Sequence, residues 1–264
     1  MSEDIILEGR GLRKEFGGLV AVATVNIRVR RGDLHSIIGP NGAGKTTLFN
    51  LLTGNLRPTR GQVLFRGEDI TATPLHRRVH LGLGRSFQVT NIFPNLTVLE
   101  NVRLAAQALG RDSFKVWWHY RHFKSYSDAA TGALEQVGLS DKAAVPAAIL
   151  PHGDQRKLEM AILLASDAEV LLLDEPTAGM ATEQVPALME MIQRIRREGH
   201  KTIMLVEHNM NVVMNASDRI TVMHQGEVLA EGTPAEITRN ETVQKAYLGE
   251  LYGDFADLVQ GAES

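Results

Sequence analysis

Residues Gly39 to Thr47 read G-P-N-G-A-G-K-T-T, and no other stretch of the chain restricts its fold as much. Gly39, four free positions, then Gly44, Lys45 and Thr46 fit the spacing of a phosphate-binding loop. Glycines there let successive backbone N–H groups curl around an anionic chain, where a Cβ would block the turn. Lys45 supplies a point charge for the β- and γ-phosphates, and the Thr46 hydroxyl is a hard oxygen suited to Mg²⁺. The flanks agree. Leu34 to Ile38 is an apolar strand, and Thr47 to Leu52 carries apolar residues at helical spacing, so the loop opens a helix whose N-terminus favours an anion. With glycine at about 7% of average usage, chance places this pattern in roughly 1% of chains this long. The residues imply nucleoside triphosphate binding by Gly39, Pro40, Asn41, Gly42, Ala43, Gly44, Lys45, Thr46 and Thr47.

Composition removes several other classes. A length of 264 residues is enough for one large core with a satellite. The net charge of −3 gives no global field for nucleic acid or anionic lipid. There are no cysteines, which excludes disulfides and thiolate metal sites and fits a reducing compartment. The acidic start, Met1-Ser2-Glu3-Asp4, lacks the basic n-region of a signal peptide. The longest apolar candidate, Met160 to Leu173, is cut by Ser166, Asp167 and Glu169, short of the ~20 residues that span a bilayer. Any membrane role is therefore expected to be that of a peripheral subunit.

Alternation in the first thirty residues predicts short antiparallel strands at Ile5 to Leu7, Leu12 to Phe16 and Val20 to Val29, with turns at Gly17-Gly18 and Arg31-Gly32. Further strands are expected at Gly61 to Phe65 and Arg85 to Gln88. Between Val89 and Ala165 the pattern becomes helical, with amphipathic stretches at Val98 to Leu109, Ala129 to Val137 and Gln155 to Ala165. Val170 to Leu173 and Thr202 to Val206 are continuous apolar runs, as central parallel strands require, and helix-like Val185 to Arg197 between them completes a βαβ unit. Ile220 to Met223 and Val228 to Ala230 flank Gln225-Gly226 as a hairpin, and Pro234 to Leu248 reads as helix. The fold class is thus α/β: a phosphate-loop core of RecA-like type, an N-terminal antiparallel β layer and an inserted α-helical subdomain. The chain is taken as a single domain, 1–264, with the helical subdomain at 89–165 and a C-terminal extension at 226–264.

Two acids, Asp174 and Glu175, end the apolar run from Val170. In a phosphate-loop fold the first acid completes the Mg²⁺ shell and the next orients the attacking water. Adjacent strand residues point to opposite faces, so the two should not share one task. His208 ends the next apolar run. A lone histidine is ordinarily a satisfied surface or core residue, but a neighbouring parallel strand would finish at the same sheet edge, where ligands collect.

Together these residues resemble the ATP-binding subunits of ABC transporters, over nearly the whole chain. On that resemblance Gly39 to Thr47 is the Walker A loop, Leu171 to Glu175 is Walker B with catalytic Glu175, and His208 is the switch histidine. Gln88 is the Q-loop glutamine, which with Thr46 and Asp174 attends the metal. Phe16, in Lys14-Glu15-Phe16-Gly17-Gly18, falls where the family stacks an aromatic on adenine; the other reading of Phe16 is an ordinary buried strand aromatic. The family signature L-S-G-G-Q should precede the helix near residue 155, but here it reads Leu150-Pro151-His152-Gly153-Asp154. Gly153 remains for close approach to phosphate. The serine hydroxyl is gone, and Asp154 would repel phosphate if it faced the ligand. The aspartate that often closes the family's D-loop is also missing from Ala178-Gly179-Met180-Ala181.

Within the family the chain is most similar to subunits of branched-chain amino acid importers. That likeness is carried by Asn91-Ile92-Phe93-Pro94-Asn95-Leu96-Thr97-Val98-Leu99-Glu100-Asn101-Val102, by Asp174 to Met180, and by the tail from Ala230-Glu231-Gly232-Thr233-Pro234 to Ala246-Tyr247-Leu248-Gly249-Glu250. The resemblance implies ATP and Mg²⁺ as ligands, and a place at the cytoplasmic face of the inner or plasma membrane. It implies two permease subunits, a second ATP-binding subunit, identical or homologous, and indirectly a substrate-binding protein, with no nucleic acid. Related sequences serve urea, amide and other amino acid importers, or lipid and export systems. Soluble relatives acting on ribosomes or DNA usually carry two ATPase units or a long coiled coil, and neither is visible here. The insert 110–124 is basic and aromatic; packing on the satellite domain is its ordinary reading, with membrane-proximal contact or base stacking as the others.

Overall fold

The computed structural model describes residues 4–86, 92–108 and 120–247, and within 120–123 and at 247 only the backbone. The chain divides into two compact units: one formed by the residues up to Arg78 together with those from Lys201 onward, the other by Val79–His200.

The first unit opens with two long strands, β1 (Ile5–Phe16) and β2 (Leu19–Arg30), paired antiparallel. The expected break between Leu7 and Leu12 does not occur. A register shift between Gly9 and Leu12 absorbs the irregular pattern as a bulge, so the strand continues through it. β4 (Arg60–Phe65) pairs with the other edge of β1, and β5 (Glu68–Asp69) pairs with β4. On β2 the buried Val25, Ile27 and Val29 alternate with exposed residues, so one face of that strand enters the core, whereas β1 is buried without a break from Ile6 to Gly9.

β3 (Leu34–Ile38) is buried at every position and lies parallel to both β8 (Thr202–Val206) and β9 (Arg219–His224). This central place explains its unbroken burial. His35 is fully buried there with Nε2 2.7 Å from Thr221 Oγ1, and burial pushes its pKa down to about 3, so the core holds a neutral ring. β10 (Glu227–Gly232) returns antiparallel to β9 through Gln225-Gly226, both at positive φ (49° and 83°), the turn a tight right-twisted hairpin requires. Helices α1 (Lys45–Thr53), α2 (Leu75–Leu81, reaching into the second unit), α7 (Met210–Ala216), α8 (Pro234–Thr238) and α9 (Glu241–Tyr247) accompany these strands. The tail expected as one helix is two. Asn240 accepts from the N–H groups of Thr242 and Val243 and so starts a second helix. Ile237 and Val243 pack with Met210, Val213, Ile220 and Val222.

In the second unit β6 (Leu83–Arg85) runs parallel to β7 (Val170–Asp174). The strand expected from Arg85 begins two residues earlier, because Leu83 and Gly84 pair with Val170 and Leu171. Three helices, α3 (Val98–Ala108), α4 (Tyr120–Val137) and α5 (His152–Ala165), pack together, with Val98, Val102, Leu134, Leu158 and Ala161 among their buried residues, and α6 (Val185–Glu198) follows β7. Among the described residues no helix is long and apolar enough to cross a membrane.

Candidate nucleotide-binding site

The phosphate loop leaves the end of β3 and enters α1, and its tightness comes from what backs it. A Cβ on Gly39 would stand 2.3 Å from the Met223 carbonyl oxygen, and one on Gly44, at φ 97°, would stand 2.5 Å from that of Ala21. No side chain fits at either place. The β9–β10 turn clasps the loop: Gly226 N–H donates to Ala43 O (3.0 Å), and Ala23 N–H on β2 donates to Gly226 O (2.8 Å). Gly44 caps α1 and, having no side chain, offers no cap hydrogen bond of its own to the first amides of that helix. Asn41, Gly42 and Thr46 are exposed along the rim, Thr47 is half-buried and Ala43 is buried.

Lys45 is 8% exposed and curls back over this loop, its Nζ donating to Gly39 O (2.6 Å) and Pro40 O (3.0 Å). Its ammonium thus lies against the loop's own carbonyls, within reach of an anion cradled by the loop. Thr46 adds a hydroxyl on the exposed side of the first helical turn. Oriented N–H groups beside a fixed cation make this loop suited to phosphate charge.

His208 reaches the same sheet edge. Val206, the last residue of β8, pairs with Ile37 of β3, and Glu207 N–H donates to Ile37 O (3.4 Å). The His208 side chain is 65% exposed just beyond, and Asn209 caps α7 by accepting from Val212 N–H (3.3 Å). Phe16, at the far end of β1, is 46% exposed, with Lys14 Nζ 5.1 Å from its ring centre. The buried-aromatic reading of Phe16 is therefore wrong. Its partner Leu19 begins β2, two residues before Ala21, whose carbonyl backs Gly44.

The second unit holds the acids. Asp174 ends β7 with its side chain fully buried; Arg85 Nη2 lies 3.5 Å from Oδ2, and Ser86 Oγ accepts the Asp174 N–H at 3.0 Å. Burial pushes the Arg85 pKa down, and Asp174 opposes that push, the mark of a pair out of water. Sequence reasoning missed Arg85, whose only signal is its place three residues before Gln88. Glu175 is half-buried at φ +48°, and its carbonyl accepts from Ala178 N–H (3.0 Å) in a tight turn. Asp174 and Glu175 therefore differ in burial and backbone conformation.

At the altered signature, α5 begins at His152, with Pro151 as its cap. Gly153 is half-buried, and a Cβ there would stand 3.2 Å from Gln184 Oε1. Asp154 has partners that the sequence did not reveal. Its carboxylate is ion-paired with Lys142 and, at 3.2 Å, with Lys157. Burial raises its pKa, but the hydrogen bonds from both lysines outweigh that and hold it below the usual value. Within its own unit, then, the Asp154 charge is compensated by two lysines, which lessens any repulsion it would offer a phosphate. Gln88 lies outside the described residues, as does most of the insert 110–124.

This geometry agrees with known proteins. The ABC transporter family model matches residues 22–178, and the branched-chain amino acid ATP-binding cassette transporter model matches residues 227–252. The chain is 41% identical over 250 residues to the high-affinity branched-chain amino acid transport ATP-binding protein LivG of Escherichia coli K12, covering 93% of this chain and 98% of that one. It is similar to the ADP conformation of MJ1267, an ATP-binding cassette of an ABC transporter, with a TM-score of 0.80, 29% identity and coverage of 93% and 99%. It is also similar to the dimeric post-hydrolysis state of the cassette MJ0796 bound to ADP and Pi, with a TM-score of 0.73, 25% identity and coverage of 87% and 99%.

Proposed function

The chain belongs to the ATP-binding subunits of ABC transporters, and on that premise we propose that it energises the import of branched-chain amino acids. It is an ABC-type ATPase: it binds ATP and hydrolyses it for transport. The importer reading is carried by residues 227–252, which match the branched-chain model and lie outside the residues 22–178 that match the general ABC transporter model.

In this reading the loop Gly39–Thr47 cradles the phosphates, Lys45 neutralises their charge, and Phe16 offers its open ring to the base. Thr46 and Asp174 are hard oxygen donors, which suits Mg²⁺; among the described residues no cluster of three or more acids or histidines could hold a metal alone. When bound, the ion supplies charge neutralisation between the phosphates. Glu175 orients and deprotonates the attacking water, and His208 and Gln88 contact the γ-phosphate side. The 89–165 region serves as the helical subdomain and 226–264 as the extension. One phosphate loop and one signature per chain call for a second ATP-binding subunit, whose signature closes over this loop while Gly153 approaches the partner's nucleotide. Permease subunits hold the pair peripherally at the cytoplasmic face of the membrane, and a substrate-binding protein acts indirectly.

Co-purification of the tagged chain from detergent-solubilised membranes tests the assembly. Permeases and a second ATP-binding subunit support it. Recovery of ribosomal proteins, with no membrane subunit, rejects it.

A further inference from the structure

Immediately after β8 the chain buries a carboxylate that the proposed chemistry does not use. The Glu207 side chain is fully buried, although removing a carboxylate from water is costly unless fixed donors compensate. Its Oε2 accepts from the backbone N–H of His208 at 3.2 Å and of Asn209 at 3.5 Å. The same oxygen is 4.0 Å from Nδ1 of His208. Two of these approaches bear on His208 itself, through its amide and the nearer nitrogen of its ring, and the third is to the next amide, that of Asn209. The backbone of Glu207 is itself tied to Ile37 on β3, two residues before the phosphate loop begins. His208, by contrast, has an exposed side chain with freedom to turn, so something must fix its aim if it is to meet a ligand.

We propose that Glu207 is a positioning residue for His208, holding Nδ1 toward the buried carboxylate and so presenting Nε2 to the nucleotide's phosphates. The proposal rests on the reading of His208 as a nucleotide-facing side chain. The carboxylate does this in two ways. Its hydrogen bonds set the turn that places the ring at the sheet edge. Its negative charge favours a proton on the nearer ring nitrogen, which selects the tautomer. Glu207 touches no reacting atom.

The test compares Glu207→Ala, Glu207→Gln, His208→Ala and the double variant Glu207→Ala/His208→Ala in the assembled complex, reading kcat and KM for ATP. Glu207→Ala is expected to lower kcat by about tenfold or more, the scale of a misplaced catalytic group, while KM stays within about twofold. Glu207→Gln keeps an oxygen for the two amides and should recover most of that rate. The double variant should be no slower than His208→Ala, because a group acting through the histidine has nothing left to position. A second readout is independent of activity. Nitrogen-15 shifts of the His208 ring in the full chain should report the Nδ1–H tautomer in the parent and a mixed population in Glu207→Gln, which loses the charge. If His208→Ala hydrolyses ATP at the parental rate, the nucleotide-facing reading fails, while the ring shifts still decide whether Glu207 sets the tautomer. Losses that multiply in the double variant, or ring shifts that Glu207→Gln leaves unchanged, overturn the proposal.

Discussion

At φ +48° Glu175 holds a left-handed backbone conformation that costs a non-glycine residue about 1–2 kcal/mol. Strain of this kind persists where the surroundings impose it, and it collects at reacting centres. Glu175→Gly should therefore unfold at a temperature no lower than the parent while losing hydrolysis, a pairing that thermal scans and phosphate release can read together. A clearly less stable glycine variant would mean that the conformation is not strained. Glu175→Gln keeps shape and removes the base; hydrolysis should fall about 10²–10⁴-fold with ATP binding retained. Lys45 behaves differently. Because its Nζ already lies against the loop, Lys45→Ala should weaken ATP binding itself, measured by equilibrium titration. Parental affinity would remove Lys45 from the phosphate site. Lys45 and Thr46 were legible in the sequence because the motif's spacing is local. Arg85 and Glu207 were not, because their meaning lies in partners: Asp174, 89 positions away, and a turn whose shape no motif records.

Among the elements, β7 and β8 were readable as continuous apolar runs because each is buried at every position, and β3, which carries His35 and Ser36, was readable as the strand leading into the phosphate loop. β1 was misread as two pieces, since a bulge disturbs alternation without ending pairing. α2 and α7 carried no expectation, because helices of seven residues are too short to display a period. The signature helix α5 shows how a departure from a family pattern can be compensated nearby. Asp154 is held by Lys142 and Lys157, so Asp154→Gln should lower the unfolding temperature and leave nucleotide affinity of the complex unchanged. Its depressed pKa gives the sign of the pH effect: the carboxylate's contribution is present above the ordinary aspartate pKa and is lost as pH falls through the lowered value. Pro151→Ser is the separate test of the lost hydroxyl. It should tighten ATP at the site this chain's signature completes, by the equivalent of one hydrogen bond to a charged group, about 1.5–3 kcal/mol. Unchanged affinity in Pro151→Ser would mean that Gly153 and the helix amides already supply the contact.

At the scale of the whole molecule, every functional feature is half of something. In the proposed reading the phosphate loop takes a signature from another subunit, the signature takes another subunit's nucleotide, and a permease turns hydrolysis into transport. The matched tail at 227–252 says which transporters those are. The most direct measurement is leucine uptake and ATP hydrolysis, followed together in proteoliposomes holding the complex purified through this chain, parent against Glu175→Gln. The account predicts that the parent accumulates leucine in step with phosphate release, and that Glu175→Gln still binds ATP but stops both. Leucine accumulation continuing in the variant, or a parent complex that hydrolyses ATP without moving any branched-chain amino acid, would contradict it.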